Sequence, residues 1–174
     1  MHWFFEQTLS GHRFGYHWQA GPVFMGPYPI NHVCGVQVDL IQFLSTYHKI
    51  KGRRSLRRYL HRLKAIGWKI EGLKMGVSAR AAVGVVPPHF VLEKSLAQIN
   101  TFLADSSEEN PLYTHVIEKL AQSNRFSIRA QNRWGQRIKH LIENEVKPAY
   151  HSLRNYLEDL LDDEIGRASC RERV

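Results

Sequence analysis

The sequence predicts an all-α protein in which an irregular N-terminal segment precedes a bundle of about five helices. After residue 35, apolar residues recur at spacings of three and four over long stretches, which is typical of helices that bury one face. No segment alternates apolar and polar residues over a useful length, so no sheet is expected. Glycine and proline recur throughout the first 35 residues, where they interrupt any long helix.

The first two helices follow from this periodicity. One begins after Gly35 and ends before Gly52, with apolar residues at Val36, Leu40, Phe43, Leu44 and Tyr47. The second is expected from about Arg53 to Ala82, before Gly84. Its core-facing stripe consists of Leu56, Leu60, Leu63, Ile66, Ile70 and Leu73.

The next two helices each begin at a proline. Pro88 suits a first helical position, where the missing N–H has no intrahelical partner to lose, and apolar residues continue to Leu103. Asn110 followed by Pro111 predicts an N-cap and a first helical residue, which open a helix that runs through Leu120.

The last helix is expected to begin after Ser127, whose hydroxyl can cap it. Its apolar positions keep the helical period as far as Leu160, across an internal proline at Pro148. Because proline cannot donate the backbone hydrogen bond and clashes with the preceding turn, we expect a kink or a break at Lys147.

The chain is basic, with a formal net charge of +8, and much of that charge lies between Lys49 and Lys64. On a helical wheel the arginines of this run point away from the leucine stripe, as on the solvated face of a packed helix. No zinc-finger spacing, aromatic RNA-binding motif or helix-turn-helix pair accompanies them. The pattern argues against nucleic-acid binding, which nevertheless stays as one alternative function; an all-α interaction domain without chemistry is another.

Catalytic and metal signals are sparse. The chain has ten histidines, but no two stand four apart around a glutamate, as in helix-borne zinc sites. No Gly-x-Ser-x-Gly elbow or phosphate-binding glycine loop is present. The sequence therefore predicts no catalytic residue, no metal ligand and no cofactor within this chain.

One loop is a candidate for a substrate cleft. Tyr28, Asn31, His32 and Gln37 concentrate aromatic and amide groups next to the first helix. Loops that a rigid scaffold positions are enriched in binding residues. Such groups also commonly tie down an irregular segment, so both interpretations stay open.

Five short sequence motifs occur one after another along the chain. They are Tyr-Pro-Ile-Asn at 28–31, Gly-Val-Gln at 35–37 with Leu40 and Phe43-Leu44, Gly-Val-Val-Pro-Pro-His-Phe-Val-Leu-Glu-Lys at 84–94, Asn-Pro-Leu-Tyr at 110–113, and Val-Lys-Pro-Ala-Tyr at 146–150. Across most of residues 20–160 the chain resembles the bacterial family called domain of unknown function 885.

The resemblance implies the N-terminal part of a zinc metallopeptidase-like protein. In that family a long helical lobe precedes a C-terminal half with a His-Glu-x-x-Pro-Gly-His-His type of motif, which this chain lacks. It follows that the chain is a scaffold fragment, inactive alone. Its expected partner is the C-terminal half of its own full-length protein. Zinc and a peptide substrate are expected for that full-length protein.

The final residues, 164–174, resemble a translated sequencing adapter rather than protein. The expected organisation is therefore an irregular segment at 1–35, a helical lobe at 36–163 and a non-native tail at 164–174. No apolar run approaches the roughly 18 residues that a membrane span needs, and no signal peptide is visible. For a bacterial protein, both the cytoplasm and export stay open.

Overall fold

A computed structural model describes residues 17–18, 25–26, 28–33, 35–123 and 126–171, with side chains from residue 28 to residue 163. The expected irregular segment 1–35 lies largely outside these ranges. Within them the protein is all-α, as predicted. The one addition is a two-residue antiparallel pairing between β1, His17–Trp18, and β2, Met25–Gly26.

Five longer helices follow a short one. Two π-helical turns, at Phe43–Tyr47 and Ile142–Val146, continue α1 and join α5 to α6. The helices are α1 Val36–Gln42, α2 Arg53–Ala81, α3 His89–Ala104, α4 Pro111–Ala121, α5 Ile128–Leu141 and α6 Lys147–Arg171.

The C-terminus of α2 is closed by a glycine in the left-handed region. Gly84 has φ 81°, a conformation that L side chains rarely adopt. Its N–H donates to the Ala81 carbonyl at 3.0 Å, and the N–H of Val85 donates to the Arg80 carbonyl at 2.9 Å. These two bonds form a Schellman motif, which satisfies carbonyls that the helix end would leave unpaired.

The helix starts mostly match the sequence signals. Asn110 Oδ1 accepts from the N–H of Leu112 at 3.0 Å, and Ser127 Oγ accepts from the N–H of Ala130 at 3.3 Å, so both N-caps are confirmed. The prediction for Pro88 is wrong by one residue. Pro88 is the N-cap of α3 rather than its first helical residue, because its ψ of 148° is not helical.

The interruption expected near Lys147 takes the form of a π turn. The turn Ile142–Val146 ends directly before Lys147, whose N–H donates to the carbonyl of Ile142, five residues back. Pro148 follows with no N–H to donate. A wider turn at this point lets the chain resume as α6 without the hydrogen bond that proline cannot make.

The core lies where α6 packs against α2 and α3. Every member of the predicted α2 stripe is buried except Leu60, which is only partly buried. Leu60 packs against the core but stays partly exposed, because it lies at the edge of the stripe, beside a groove between α2 and α5. Tyr59 and Val77 complete the buried face.

Two buried tyrosines connect distant parts of the chain. The Tyr59 hydroxyl donates to the Leu112 carbonyl at 2.6 Å, and the Tyr150 hydroxyl donates to the Gln37 carbonyl at 2.6 Å. Burial raises the pKa of both phenols far above the ordinary value, so both stay protonated donors. The second bond fixes the start of α1, and with it the candidate loop, to α6.

Candidate functional site

The loop before α1 carries the four residues that the sequence predicts to line a cleft. Tyr28, Asn31 and His32 are half-buried, whereas Gln37, in the first turn of α1, is only 1% exposed. The structure brings Asn31 and Gln37 into direct contact. No hydrogen bond between side chains joins Tyr28 or His32 to them among the described residues.

Backbone hydrogen bonds from amide side chains hold this loop. Gln37 Nε2 donates to the Asn31 carbonyl at 2.8 Å, and Asn31 Oδ1 accepts from the N–H of Val33 at 2.8 Å. From α3, Gln98 Nε2 donates to the His32 carbonyl at 2.7 Å. Two of the four predicted residues therefore support the loop itself, which is the structural interpretation that the sequence left open.

Two polar atoms of the loop differ from those that hold it. Gln37 Oε1 and His32 Nδ1 are buried and have no hydrogen-bond partner within the described residues. A buried acceptor without a partner costs about 1–3 kcal/mol, so such atoms commonly bind water or a ligand. Gln37 Oε1 can accept an N–H or O–H group, such as one of an extended peptide, whereas His32 Nδ1 accepts or donates according to the tautomer of the ring.

Gly35, which directly precedes α1, also belongs to this site, a role that the sequence did not predict. It is buried, and a methyl carbon added to it would lie 2.6 Å from the Asn31 nitrogen and closer still to the Asn31 carbonyl oxygen and Gln37 Oε1. Only glycine fits this close approach. The sequence shows that Asn31, Gly35 and Gln37 are close along the chain, but it does not show that they contact one another.

A histidine cluster beside the first π turn was also missed. His48 follows that turn and is only 6% exposed. Its Nδ1 accepts from the Arg62 guanidinium, and its Nε2 donates to the Ser55 carbonyl at 3.2 Å. His115 of α4 comes within 3.2 Å of the His48 carbonyl through its Nε2. The two histidines are 67 residues apart in the sequence, so their spacing does not predict this contact.

These contacts require a neutral His48 with its proton on Nε2. Burial lowers the pKa of His48, the Ser55 carbonyl raises it, and the charges of Arg62 and His115 lower it further. The imidazole has both nitrogens engaged by protein groups. The ring therefore joins the end of the first π turn to α2, and the backbone carbonyl of His48 joins it to α4.

The arginine face of α2 is exposed, as predicted. Arg62 differs from its neighbours because its guanidinium also stacks over the Phe43 ring, 5.0 Å from the centroid. No group of three or more histidine, cysteine, aspartate or glutamate side chains that could hold a metal ion occurs in the described part of the chain. His2 and His12 lie outside that part.

None of the described helices combines the length and the apolar character required to cross a bilayer.

The sequence model of the family described as "Bacterial protein of unknown function (DUF885)" matches residues 1–169. No curated protein matches the chain. The fold is similar to the crystal structure titled "the putative lipoprotein from Colwellia psychrerythraea", with a TM-score of 0.77 and 20% identity. That match covers 79% of this chain and 24% of the longer protein.

Proposed function

Because this chain belongs to the bacterial DUF885 family, we propose that it forms the N-terminal helical scaffold of a longer zinc-dependent, peptidase-like protein and is inactive alone. The family membership itself assigns no activity. The observation that carries the scaffold role is an uncovered apolar face on α2, which suits a second lobe of the same protein.

This outer face lies opposite the buried residues of α2. Trp68 is 76% exposed and Met75 is 68% exposed; they are two helical turns apart on the same side. Gly72 lies between them, with no atom of the described residues within 4 Å of a side-chain carbon placed there. Large exposed apolar side chains on one face, next to a glycine that permits close approach, commonly mark a packing surface.

In this proposal the C-terminal half of the same protein covers the outer face and supplies the chemistry. Its zinc would be held by two helix-borne imidazoles and a carboxylate, with a glutamate as general base. The described residues of this chain do not provide such a ligand set, so no catalytic step is assigned to them. Their contribution is to position the second lobe.

The loop before α1 is proposed to face the peptide. Gln37 Oε1 and His32 Nδ1 are the acceptors that would take backbone N–H groups of a substrate, and Tyr28 and Asn31 flank them. This assignment rests on the two unpartnered acceptors and on the rigidity that the bond from Tyr150 gives the loop.

The test extends the coding sequence beyond residue 163. We expect a downstream His-Glu-x-x-Pro-Gly-His-His type of motif, about one zinc per chain in the longer protein, and peptide hydrolysis that a glutamate-to-glutamine change in the motif abolishes. A longer coding sequence without that motif would contradict the proposal. A longer protein that cleaves peptides equally well after the glutamate-to-glutamine change would contradict it too.

The outer face gives an independent readout of the scaffold role. The emission of Trp68 is obtained by subtracting the fluorescence spectrum of the Trp68→Phe variant from that of the unchanged protein. It should lie at a shorter wavelength in the longer protein than in this chain, because the second lobe would bury the indole. An unchanged Trp68 contribution would show that the C-terminal half does not cover α2.

The exposed arginines of α2 are the observation that favours a second candidate, nucleic-acid binding. Affinity for random duplex DNA should then fall steeply with salt, because phosphate contacts release counterions. Absence of binding at low salt would eliminate this alternative.

A further inference from the structure

A groove of about 680 Å³ lies between α2 and α5, apart from the loop before α1. Leu60 of α2 and Leu141 of α5 provide its apolar surface. Lys64 on one side and Arg137 on the other bring cationic groups to the same groove. The volume is within the range of sites for small molecules, and the lining combines two leucines with six polar or charged side chains.

The cations of this groove are unequally paired. Lys139, which also lines it, forms an ion pair with Glu108 at 2.8 Å. Lys64 and Arg137 have no ion-pair partner in the ranges that the structure covers. One carboxylate, that of Glu143, lines the groove as well. The local balance favours one negative charge and disfavours a second.

We infer that this groove binds a carboxylate attached to an apolar group. The carboxylate would accept charge-assisted hydrogen bonds from Lys64 and Arg137, whose planar guanidinium matches the two carboxylate oxygens. The apolar group would lie on Leu60 and Leu141. A phosphate with two charges is a poorer match, because Glu143 repels the second charge and the leucines gain nothing from it.

Two ligand sources share this chemistry: the C-terminal residue of a peptide and a medium-chain fatty acid. Both combine one carboxylate with an apolar group of a size that the groove accommodates. The inference is independent of the proposed peptidase-like function, because it requires neither zinc nor turnover.

The experiment is an NMR titration of the uniformly ¹⁵N-labelled 174-residue chain. The probes are N-acetyl-Leu-Leu with a free carboxylate, the same dipeptide as its C-terminal amide, and octanoate. We expect the free acid to shift amide resonances of residues 60–64 and 136–143, and the amide form to bind at least about tenfold more weakly, as for the loss of one charge-assisted hydrogen bond.

The octanoate arm identifies the source. Shifts of the same resonances by octanoate would support the shared carboxylate chemistry, whereas a response to the dipeptide acid alone would support a peptide C-terminus. Equal binding of acid and amide, or shifts confined to other residues, would overturn the inference.

Matched double variants complete the test. Lys64→Gln with Arg137→Gln removes the two cations without an ion-pair partner and should weaken binding of the responding acid at least about tenfold. Arg57→Gln with Arg58→Gln removes the same charge from exposed positions of α2 outside the groove and should leave that affinity unchanged. Equal affinities of the two double variants would overturn the inference, and well-dispersed spectra establish that both are folded.

Discussion

Replacing Gly35 with alanine should destabilise the fold by about 2–4 kcal/mol. The new methyl would overlap the backbone nitrogen and carbonyl oxygen of Asn31 as well as Gln37 Oε1. Rotation of the Gln37 side chain cannot relieve the two backbone contacts. Overpacking of this kind costs about 1–3 kcal/mol, and displacing the loop would also break the Gln37–Asn31 hydrogen bond, which contributes about 1 kcal/mol.

Urea unfolding monitored by circular dichroism measures this effect. With a slope of about 2 kcal/mol per molar urea, the midpoint should fall by about 1–2 M. Gly72→Ala is the matched control, because Gly72 lies on the exposed face of α2 with nothing within 4 Å of the added carbon. That change should stabilise the protein by about 0.5–1 kcal/mol, since alanine is the better helix former. A Gly35→Ala protein as stable as the unsubstituted chain would refute the described packing of the loop.

The remaining predictions concern the core, the tail and His48. Leu63→Ala should cost about 2–5 kcal/mol in unfolding experiments, whereas Arg57→Ala should have no measurable effect; equal effects would undo the assignment of the two faces. Removing residues 164–174 should change the unfolding free energy by no more than about 0.5 kcal/mol, and a clear fall would show that the tail belongs to the fold. Because the folded pKa of His48 lies below the unfolded value of 6.5, the unfolded state binds more protons, so stability should fall as pH decreases through 6.5. His48→Gln should make the drop between pH 7.5 and 5.5 smaller, and an equal drop in both proteins would exclude this contribution.

The longer helices were predictable because their signals are local. Apolar periodicity placed α2 within one residue of each end, and the side chains of Asn110 and Ser127 marked two helix starts correctly. Proline chemistry likewise anticipated the interruption before Pro148, although not its π-helical form. Each of these features depends on residues within one or two turns of each other.

Contacts between distant residues were not predictable in the same way. The bond from Tyr150 to Gln37 joins residues 113 apart, and the contact of His115 with His48 joins residues 67 apart. Neither carries a sequence signal, since both depend on how helices are arranged in space. Leu60 shows the same limit, because its partial exposure follows from the groove between α2 and α5 rather than from its place in the stripe.

The candidate site was predicted only in part. Composition indicated the loop from Tyr28 to Gln37, but it did not distinguish polar atoms that hold the loop from polar atoms that have no hydrogen-bond partner. The structure makes that distinction within single side chains, because Gln37 donates to Asn31 through Nε2 while its Oε1 has no partner among the described residues. Gly35 belongs to the same arrangement.

Zinc stoichiometry together with peptide cleavage tests the scaffold account most directly. The purified 174-residue chain would be dialysed against zinc with a weak chelator present, then assayed for metal content and for cleavage of a mixed peptide library. We expect less than one tightly bound zinc per chain and no cleavage, because a catalytic site needs about three protein ligands with an open fourth position. One tightly bound zinc per chain, with turnover lost on mutation of His12, His17 or His32, would contradict the account and place the active site within this chain.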